Sequence, residues 1–286
     1  MKDTAKNLHH FVADLKNSLE TLKKDGAVIG VSGGVDSATV LKLLEQCLPK
    51  ENILPLILPD RDSNPRCIRL AEKLCRGYTY KKISITPLLQ KLGVYREFGN
   101  YFFIPRRVKE KYVKKKYEHY GKNLYLRYLQ DDVDAELRKA IGYIRIKNRI
   151  RMAIMYHYAE INNYAVIGTV NKTEYLLGLF VPFGDGAADL MPLFNIYKTE
   201  TCDIARALEI PDEILVQAPS PDLIPGLTDE MILGMSYEKV DEILKMHVEK
   251  KGKLPETEET KYVMDVYEHA KNLRDYFFQK GDRLLL

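Results

Sequence analysis

The chain has little of what several functional classes require. Among its 286 residues are four cysteines, Cys47, Cys67, Cys75 and Cys202, scattered and without a C-x-x-C pair. That spacing argues against a zinc site and a disulfide framework, and fits buried thiols in a reducing cytoplasm. No apolar run is long enough to cross a bilayer, so no membrane partner is expected. The N-terminus lacks a signal-peptide core: Phe11, Val12, Leu15, Leu19 and Leu22 recur at helical spacing among charged residues, as in an amphipathic helix. Charge of one sign is also lacking. Forty-four Lys and Arg against 40 Asp and Glu leave +4, which neither demands nor excludes a polyanionic partner and suits small phosphorylated molecules. There is no internal repeat, no low-complexity segment, and no convincing Ser-His-Asp or Cys-His nucleophile. Neither a Walker A ending (Gly-Lys-Ser/Thr) nor G-x-G-x-x-G is found.

What is present begins with alternating elements. Val28–Val31 reads as a buried strand leading to a helix around 37–48. Ile53–Leu58 leads through a polar loop, Pro59 to Pro65, to a helix at 66–76, and Tyr80–Ile85 reads as a third strand. A helix follows at 144–161, then a strand at Ala165–Thr169 and a further helix containing Glu174. Such alternation predicts an α/β fold, an open parallel sheet with helices on both faces, whose ligands sit at the carboxyl ends of the strands. The length allows one large domain of residues 1–286 with a substantial core.

The most informative stretch is Ser32-Gly33-Gly34-Val35-Asp36-Ser37, between the first strand and its helix. A strand turning through paired glycines into a helix aims backbone N–H groups and a helix N-terminus at one spot, an anion site. Ser32 and Ser37 add hydroxyl donors. Asp36 makes sense beside phosphates if a cation lies between them, and Mg²⁺ is the natural one. Thr169 ends a strand, so its hydroxyl is expected on the same rim, with Glu174 just beyond. Glu174 alone is also what a helix N-terminus favours; paired with Asp36, it gives two carboxylates converging on one metal.

Between 94 and 140 the texture changes. Tyr95, Phe98, Tyr101, Phe102 and Phe103 precede the basic run Arg106 to Lys116, then Tyr117, Tyr120, Tyr125 and Tyr128. Basic residues among aromatics can bind nucleic acid, but overall basicity is low and nucleic acid is not expected as a partner. Residues 94–140 are read as a helical insertion whose aromatics pack back on the core or as a lid over the site, with a dimer arm or a docking surface left open.

The Ser32–Ser37 loop resembles the PP-loop of ATP pyrophosphatases, which split ATP between its α and β phosphates. Further stretches follow in order: Arg149-Ile150-Arg151-Met152, Gly168 to Glu174, Gly184 to Pro192, Tyr197-Lys198-Thr199, Pro219-Ser220 and Thr228-Asp229-Glu230. Together they resemble the ammonia-dependent NAD synthetases over about 27–90 and 141–245. The resemblance implies a Rossmann-like, adenine nucleotide alpha hydrolase-like fold and a homodimer, as in the many family members that build the substrate site across the interface. It implies amidation of a carboxylate through an acyl-adenylate: deamido-NAD, ammonia and ATP giving NAD, AMP and pyrophosphate. Asp36 and Glu174 would bind Mg²⁺. Gly30, Ser32, Gly33, Gly34, Val35, Ser37, Thr169, Lys198 and Ser220 would bind ATP, with Asp36 and Lys198 serving catalysis. Arg149 and Asp189 would contact the dinucleotide. No glutaminase region is visible, so free ammonia, or ammonia from a separate partner, is the expected nitrogen source.

The sequence departs from that family at the dinucleotide positions. Where the family carries Thr-Lys before its Gly/Asp loop, this chain has Val181 and Pro182, and proline supplies neither a cation nor an N–H. The family's Gly-Asn before the paired arginines is replaced by Tyr143-Ile144-Arg145. For its terminal His-Lys pair the chain offers only His269 and Lys271, inside an apparent helix where His269 reads as a partly buried helix residue. The alternatives are therefore a relative amidating another carboxylic acid and a PP-loop tRNA-modifying enzyme.

Overall fold

The computed structural model describes residues 2–96, 104–121, 123–217, 224–249 and 252–278. Helix α1 (Lys2–Thr21) precedes β1 (Gly26–Gly30), α2 (Val35–Cys47), β2 (Ile53–Ile57), α3 (Pro65–Leu74) and β3 (Lys81–Lys82). Helices α4 (Thr86–Lys91), α5 (Arg106–Tyr120), α6 (Leu124–Leu129) and α7 (Ala135–Asn162) then lead to β4 (Tyr164–Ile167). The four strands form one parallel sheet in the order β3-β2-β1-β4. An α/β parallel sheet is the architecture the alternation predicts.

Strand alternation divides the core into two layers. Ala27, Ile29, Val31, Ile53, Ile57, Ala165 and Ile167 pack with Leu15 and Leu19 of α1 and Val40, Leu41 and Leu44 of α2. On the other face, Val28, Leu54, Leu56 and Val166 pack with Met152, Met155 and Ala159 of α7. Both faces being covered, the strands are apolar at nearly every position, as buried parallel strands require.

Some element boundaries differ from the sequence reading. Regular pairing in β3 covers only Lys81 and Lys82, although Ile83 N–H still donates to the Ile57 carbonyl (2.9 Å) and Ile85 N–H to Pro59 (2.9 Å). Helix α7 starts at Ala135 rather than near Ile144, because the Asp134 carboxylate caps it by accepting from Leu137 N–H (2.8 Å). The 94–140 boundary thus falls inside α7. After β4 come α8 (Lys172–Leu177), α9 (Lys198–Ala207), α10 (Asp212–Leu215), α11 (Asp229–Leu233), α12 (Tyr237–Val248), α13 (Glu258–His269) and α14 (Lys271–Phe278). The chain-closing helical stripe thus divides at Ala270. No helix among the described residues is long and apolar enough to cross a membrane.

Candidate active site

The sheet order reverses beside β1: β2 lies on one side of it and the later β4 on the other. Loops leaving β1 and β4 therefore diverge at their carboxyl ends and open a crevice. The first is the Ser32–Ser37 turn. Gly33 sits at φ +84°, and a Cβ there would lie 2.2 Å from the Cys67 carbonyl of α3, so only glycine fits. Gln217 Nε2 donates to the Gly33 carbonyl (3.1 Å). Ser37 Oγ accepts from Ser32 N–H (3.2 Å) and donates to the Gly34 carbonyl (3.1 Å), while the two serine hydroxyls lie 3.1 Å apart. Gly34 is the N-cap of α2 and offers no side chain to the first-turn amides. Those amides are thereby left for an anion.

The second loop is tied to the first. Asn171 caps α8: its Oδ1 accepts from Glu174 N–H (3.0 Å), and Glu174 Oε2 accepts from Asn171 N–H (3.1 Å). This capping box accounts for one sequence signal of Glu174. Asn171 Nδ2 also donates to Asp36 Oδ1 (3.2 Å), while Lys198 Nζ donates to Asp36 Oδ2. Lys198 is the first residue of α9 and is 2% exposed. Burial disfavours its charge, yet the carboxylates of Asp36, Glu174 and Asp229 outweigh that and hold its pKa above the ordinary lysine value. Glu174 is pushed well above the usual carboxylate range by burial and then by Asp36, with Lys198 opposing. Burial likewise raises Asp229, against Lys198 and a hydrogen bond from Tyr237 Oη (3.1 Å). Three carboxylates thus face one lysine, and the place favours a further cation.

Beside this cluster a cavity of about 230 Å³ opens at the strand ends. Gly30, Ser32, Gly168 and Thr169 line it together with Asn148, Arg151 and Asp185. Arg151 is anchored to the Leu58 carbonyl (Nε, 3.0 Å) and to Asn148 Oδ1 (Nη1, 3.2 Å). Next to it, with Asn148 and Asp185 lining both, lies a larger cavity of about 440 Å³ walled by α5, α6 and the start of α7.

The NAD synthase family profile matches residues 7–100 and 108–276. The ammonia-dependent NAD synthetase of Thermotoga neapolitana is 44% identical over 252 residues, 87% of either protein. The chain belongs to the NAD synthase family. It is therefore a carbon–nitrogen ligase of the kind that uses ammonia and ATP. An NMN synthetase from Francisella tularensis has a similar structure, with a TM-score of 0.71 and 26% identity, each chain 95% covered. The Campylobacter jejuni ammonia-dependent NAD synthetase shares the fold, with a TM-score of 0.66, 24% identity and 96% of each chain covered.

The remaining positions matched to the NAD synthase family are spread more widely. Arg149 is exposed on α7 and donates from Nε to the Pro182 carbonyl (3.3 Å), facing away from the small cavity that its neighbour Arg151 lines. Asn148 and Arg151, three apart on one helical face, carry a signal that sequence reasoning passed over. Asp189 is held at the sheet edge: Oδ2 accepts from Val166 N–H (2.8 Å) and Oδ1 from Tyr156 Oη (3.0 Å). His269 is exposed at the end of α13, with Nδ1 2.8 Å from the Asp265 carbonyl, and Lys271 pairs with Asp275 (2.9 Å). Ser220 lies outside the described residues, as do Phe98, Tyr101, Phe102 and Phe103. Sequence reasoning placed the polar loop after β2 but did not single out its two carboxylates. Asp60 and Asp62 there are buried against Lys147 of α7, whose Nζ is 2.7 Å from Asp60 Oδ2 and 3.1 Å from Asp62 Oδ2.

Proposed function

We propose that the protein amidates deamido-NAD: the substrate carboxylate attacks the α-phosphate of ATP, pyrophosphate leaves, and ammonia displaces AMP from the acyl-adenylate. The observation that carries this is the joining of the β1 and β4 loops through Asp36, Asn171 and Lys198 at the switch point of the sheet. The chain's own work is positioning and charge. The first-turn amides of α2 and the hydroxyls of Ser32 and Thr169 hold the phosphates. Lys198, kept charged by three carboxylates, offsets the charge that grows on the departing oxygen. Asp36 is fixed by its two donors so that it need not reorganise.

Asp36 and Glu174 would hold Mg²⁺. Their hard oxygen donors fit it, and no group of three or more His, Cys, Asp or Glu among the described residues is arranged to bind a metal alone. An ion that keeps waters and phosphates as its other ligands suits such a site. When bound, Mg²⁺ supplies neutralisation of the phosphate charge. Residues 1–286 are read as one domain in which α5, α6 and the start of α7 cover the larger cavity. Tyr117 Oη donating to the Met231 carbonyl and Tyr125 Oη to Leu177 (2.9 Å) support docking of that cover. Four free thiols suit a reducing cytoplasm. A homodimer is proposed as well; Phe183, 63% exposed at positive φ, is a residue a partner could cover. Sedimentation showing only a monomer at micromolar concentration would remove that part.

The test is mass spectrometry on protein given Mg²⁺, ATP, ammonium and deamido-NAD. Equal AMP and NAD are expected, with turnover reduced about 10²-fold or more in Asp36→Ala, as for loss of a main electrostatic group. AMP appearing only with a different acid would overturn the substrate assignment. Pro182 and the likeness to an NMN synthetase support nicotinate mononucleotide as a second substrate, and the ratio of kcat/KM for the two acids decides between them.

A further inference from the structure

The first turn of α9 is held by side chains from two other helices. Tyr197, which precedes it, is not among the short polar types that cap a helix. The two leading amides are bonded from elsewhere. Lys198 N–H donates to Thr173 Oγ1 of α8 (2.9 Å), and Thr199 N–H donates to Asp241 Oδ2 of α12 (2.8 Å). Thr173 Oγ1 in turn donates to Asp241 Oδ1. One carboxylate thus closes a ring of hydrogen bonds through α8 and α9, and both Thr173 and Asp241 are buried. Lys172 N–H adds a main-chain tie between the same two segments by donating to the Ile196 carbonyl (2.8 Å).

The ring is built around Lys198. Its own N–H and that of Thr199 lie on either side of the Lys198 Cα, so bonds to both fix the direction in which the side chain leaves the backbone. That matters for a lysine, whose flexible four-carbon stem fixes little by itself. Here the stem ends at Asp36 Oδ2. The face of α12 that carries Asp241 carries Tyr237 one turn earlier. Lys198 Nζ stands 5.4 Å from the centre of the Tyr237 ring, whose hydroxyl donates to Asp229 (3.1 Å).

We propose that Asp241 is a positioning residue for the ligase reaction, setting Lys198 directly through Thr199 N–H and indirectly through the Thr173 hydroxyl. The inference rests on the amidation reading given above. The hydrogen bonding requires a carboxylate at this place, because both oxygens accept, one from a hydroxyl and one from an amide. An asparagine of the same shape must turn its NH₂ group toward one of those two partners. Facing Thr199 it sets donor against donor. Facing Thr173 it competes with Lys198 N–H for the hydroxyl oxygen and leaves the hydroxyl proton without its acceptor.

NAD formation and calorimetric binding of Mg²⁺–ATP, on variants whose folding is checked by urea unfolding, test this. Asp241→Asn is expected to lower kcat about 10-fold or more, the scale of a misplaced catalytic group, with KM for deamido-NAD within about three-fold. Thr173→Val should act in the same direction, and Thr173→Ser, which keeps the hydroxyl, should recover most of that loss. In a Lys198→Ala background, Asp241→Asn should lower kcat and Mg²⁺–ATP affinity no more than about two-fold further, because no lysine is left to set. Wild-type kcat in a folded Asp241→Asn protein, or its full loss repeated on top of Lys198→Ala, would overturn the proposal. Should Asp241→Asn not fold, the Thr173→Val and Thr173→Ser pair decides: equal kcat in the two would sink it. A wild type that binds Mg²⁺–ATP but makes no NAD would count against the amidation reading instead, and the binding cycle with Lys198→Ala would still decide the role of Asp241.

Discussion

Asp36 gathers donors from two elements that the chain keeps far apart, Asn171 before α8 and Lys198 at the start of α9. Its own position could be read from the sequence, because a carboxylate inside a glycine-rich anion loop has few other uses. Its partners could be read only as types. Glu174 shows the two meanings of one residue, since it completes a capping box and also stands beside Asp36 and Lys198. Burial and the Asp36 charge penalise its ionised form, so a bound divalent cation should relieve that penalty. Adding Mg²⁺ is therefore expected to raise the Tm of the wild type through mass action. In Glu174→Gln the metal-free protein should be at least as stable and the Mg²⁺-dependent rise should be largely lost. Differential scanning fluorimetry with and without Mg²⁺ checks this; an unchanged rise in the variant would take Glu174 out of the metal site. The adjacent Arg149 and Arg151 show the limit of reading residues singly, because a step of two on a helix sends one to the cavity and the other to the surface.

At the scale of elements, the β1–α2 turn was the most legible part of the chain. Its glycines answer to two constraints, a left-handed φ at Gly33 and contact with the Cys67 carbonyl of α3, and only the first is local. Gly33→Ala combines a strained φ with a backbone clash, and is expected to destabilise the protein by about 2 kcal/mol or more. It should also abolish ATP binding, because the turn shapes the anion site. Urea unfolding and nucleotide titration on the same variant test both effects, and wild-type nucleotide affinity in a stable variant would contradict the second. Element ends were read less well. Helix α7 reaches back to the Asp134 cap, and its first half is tied to α5 and α6 through Lys116 with Glu136, Tyr120 with Asp134 and Arg145 with Tyr128, so one apolar period does not run its full length. Strand β3 is short because it is an edge strand with exposed lysines, and its neighbouring segment pairs only intermittently with β2.

At the scale of the molecule, the buried cluster of Asp60, Asp62, Lys109 and Lys147 fastens α5 and α7 to the carboxyl end of β2. Burial raises the pKa of Asp62, but the Lys147 charge, the Tyr143 hydrogen bond and Lys109 outweigh it, so the net shift is downward. A carboxylate whose folded pKa lies below its unfolded value lends stability that is present above the unfolded pKa and lost as pH falls through the folded one. Acidification below the usual aspartate range should thus weaken the wild type through Asp62. Asp62→Asn should lose about 3 kcal/mol at neutral pH, because it leaves buried lysines short of a partner. It should also lose less on further acidification than the wild type does. Denaturant unfolding from pH 7 to pH 3 measures both; parallel pH curves would show that Asp62 is not the linked group.

The sequence by itself determined the class of fold, the anion loop and the type of chemistry. These follow from strand and helix periods and from a contiguous six-residue motif, all of which are local. The tertiary structure decided the rest. It chose Asn171 and Lys198 as the partners of Asp36, sent Arg151 inward and Arg149 outward, and brought Arg61 and the tyrosines of α5 and α6 around one cavity. Those are meetings of residues distant in the chain, set by how helices pack on the sheet, and no local pattern encodes which of many charged or aromatic residues will be neighbours.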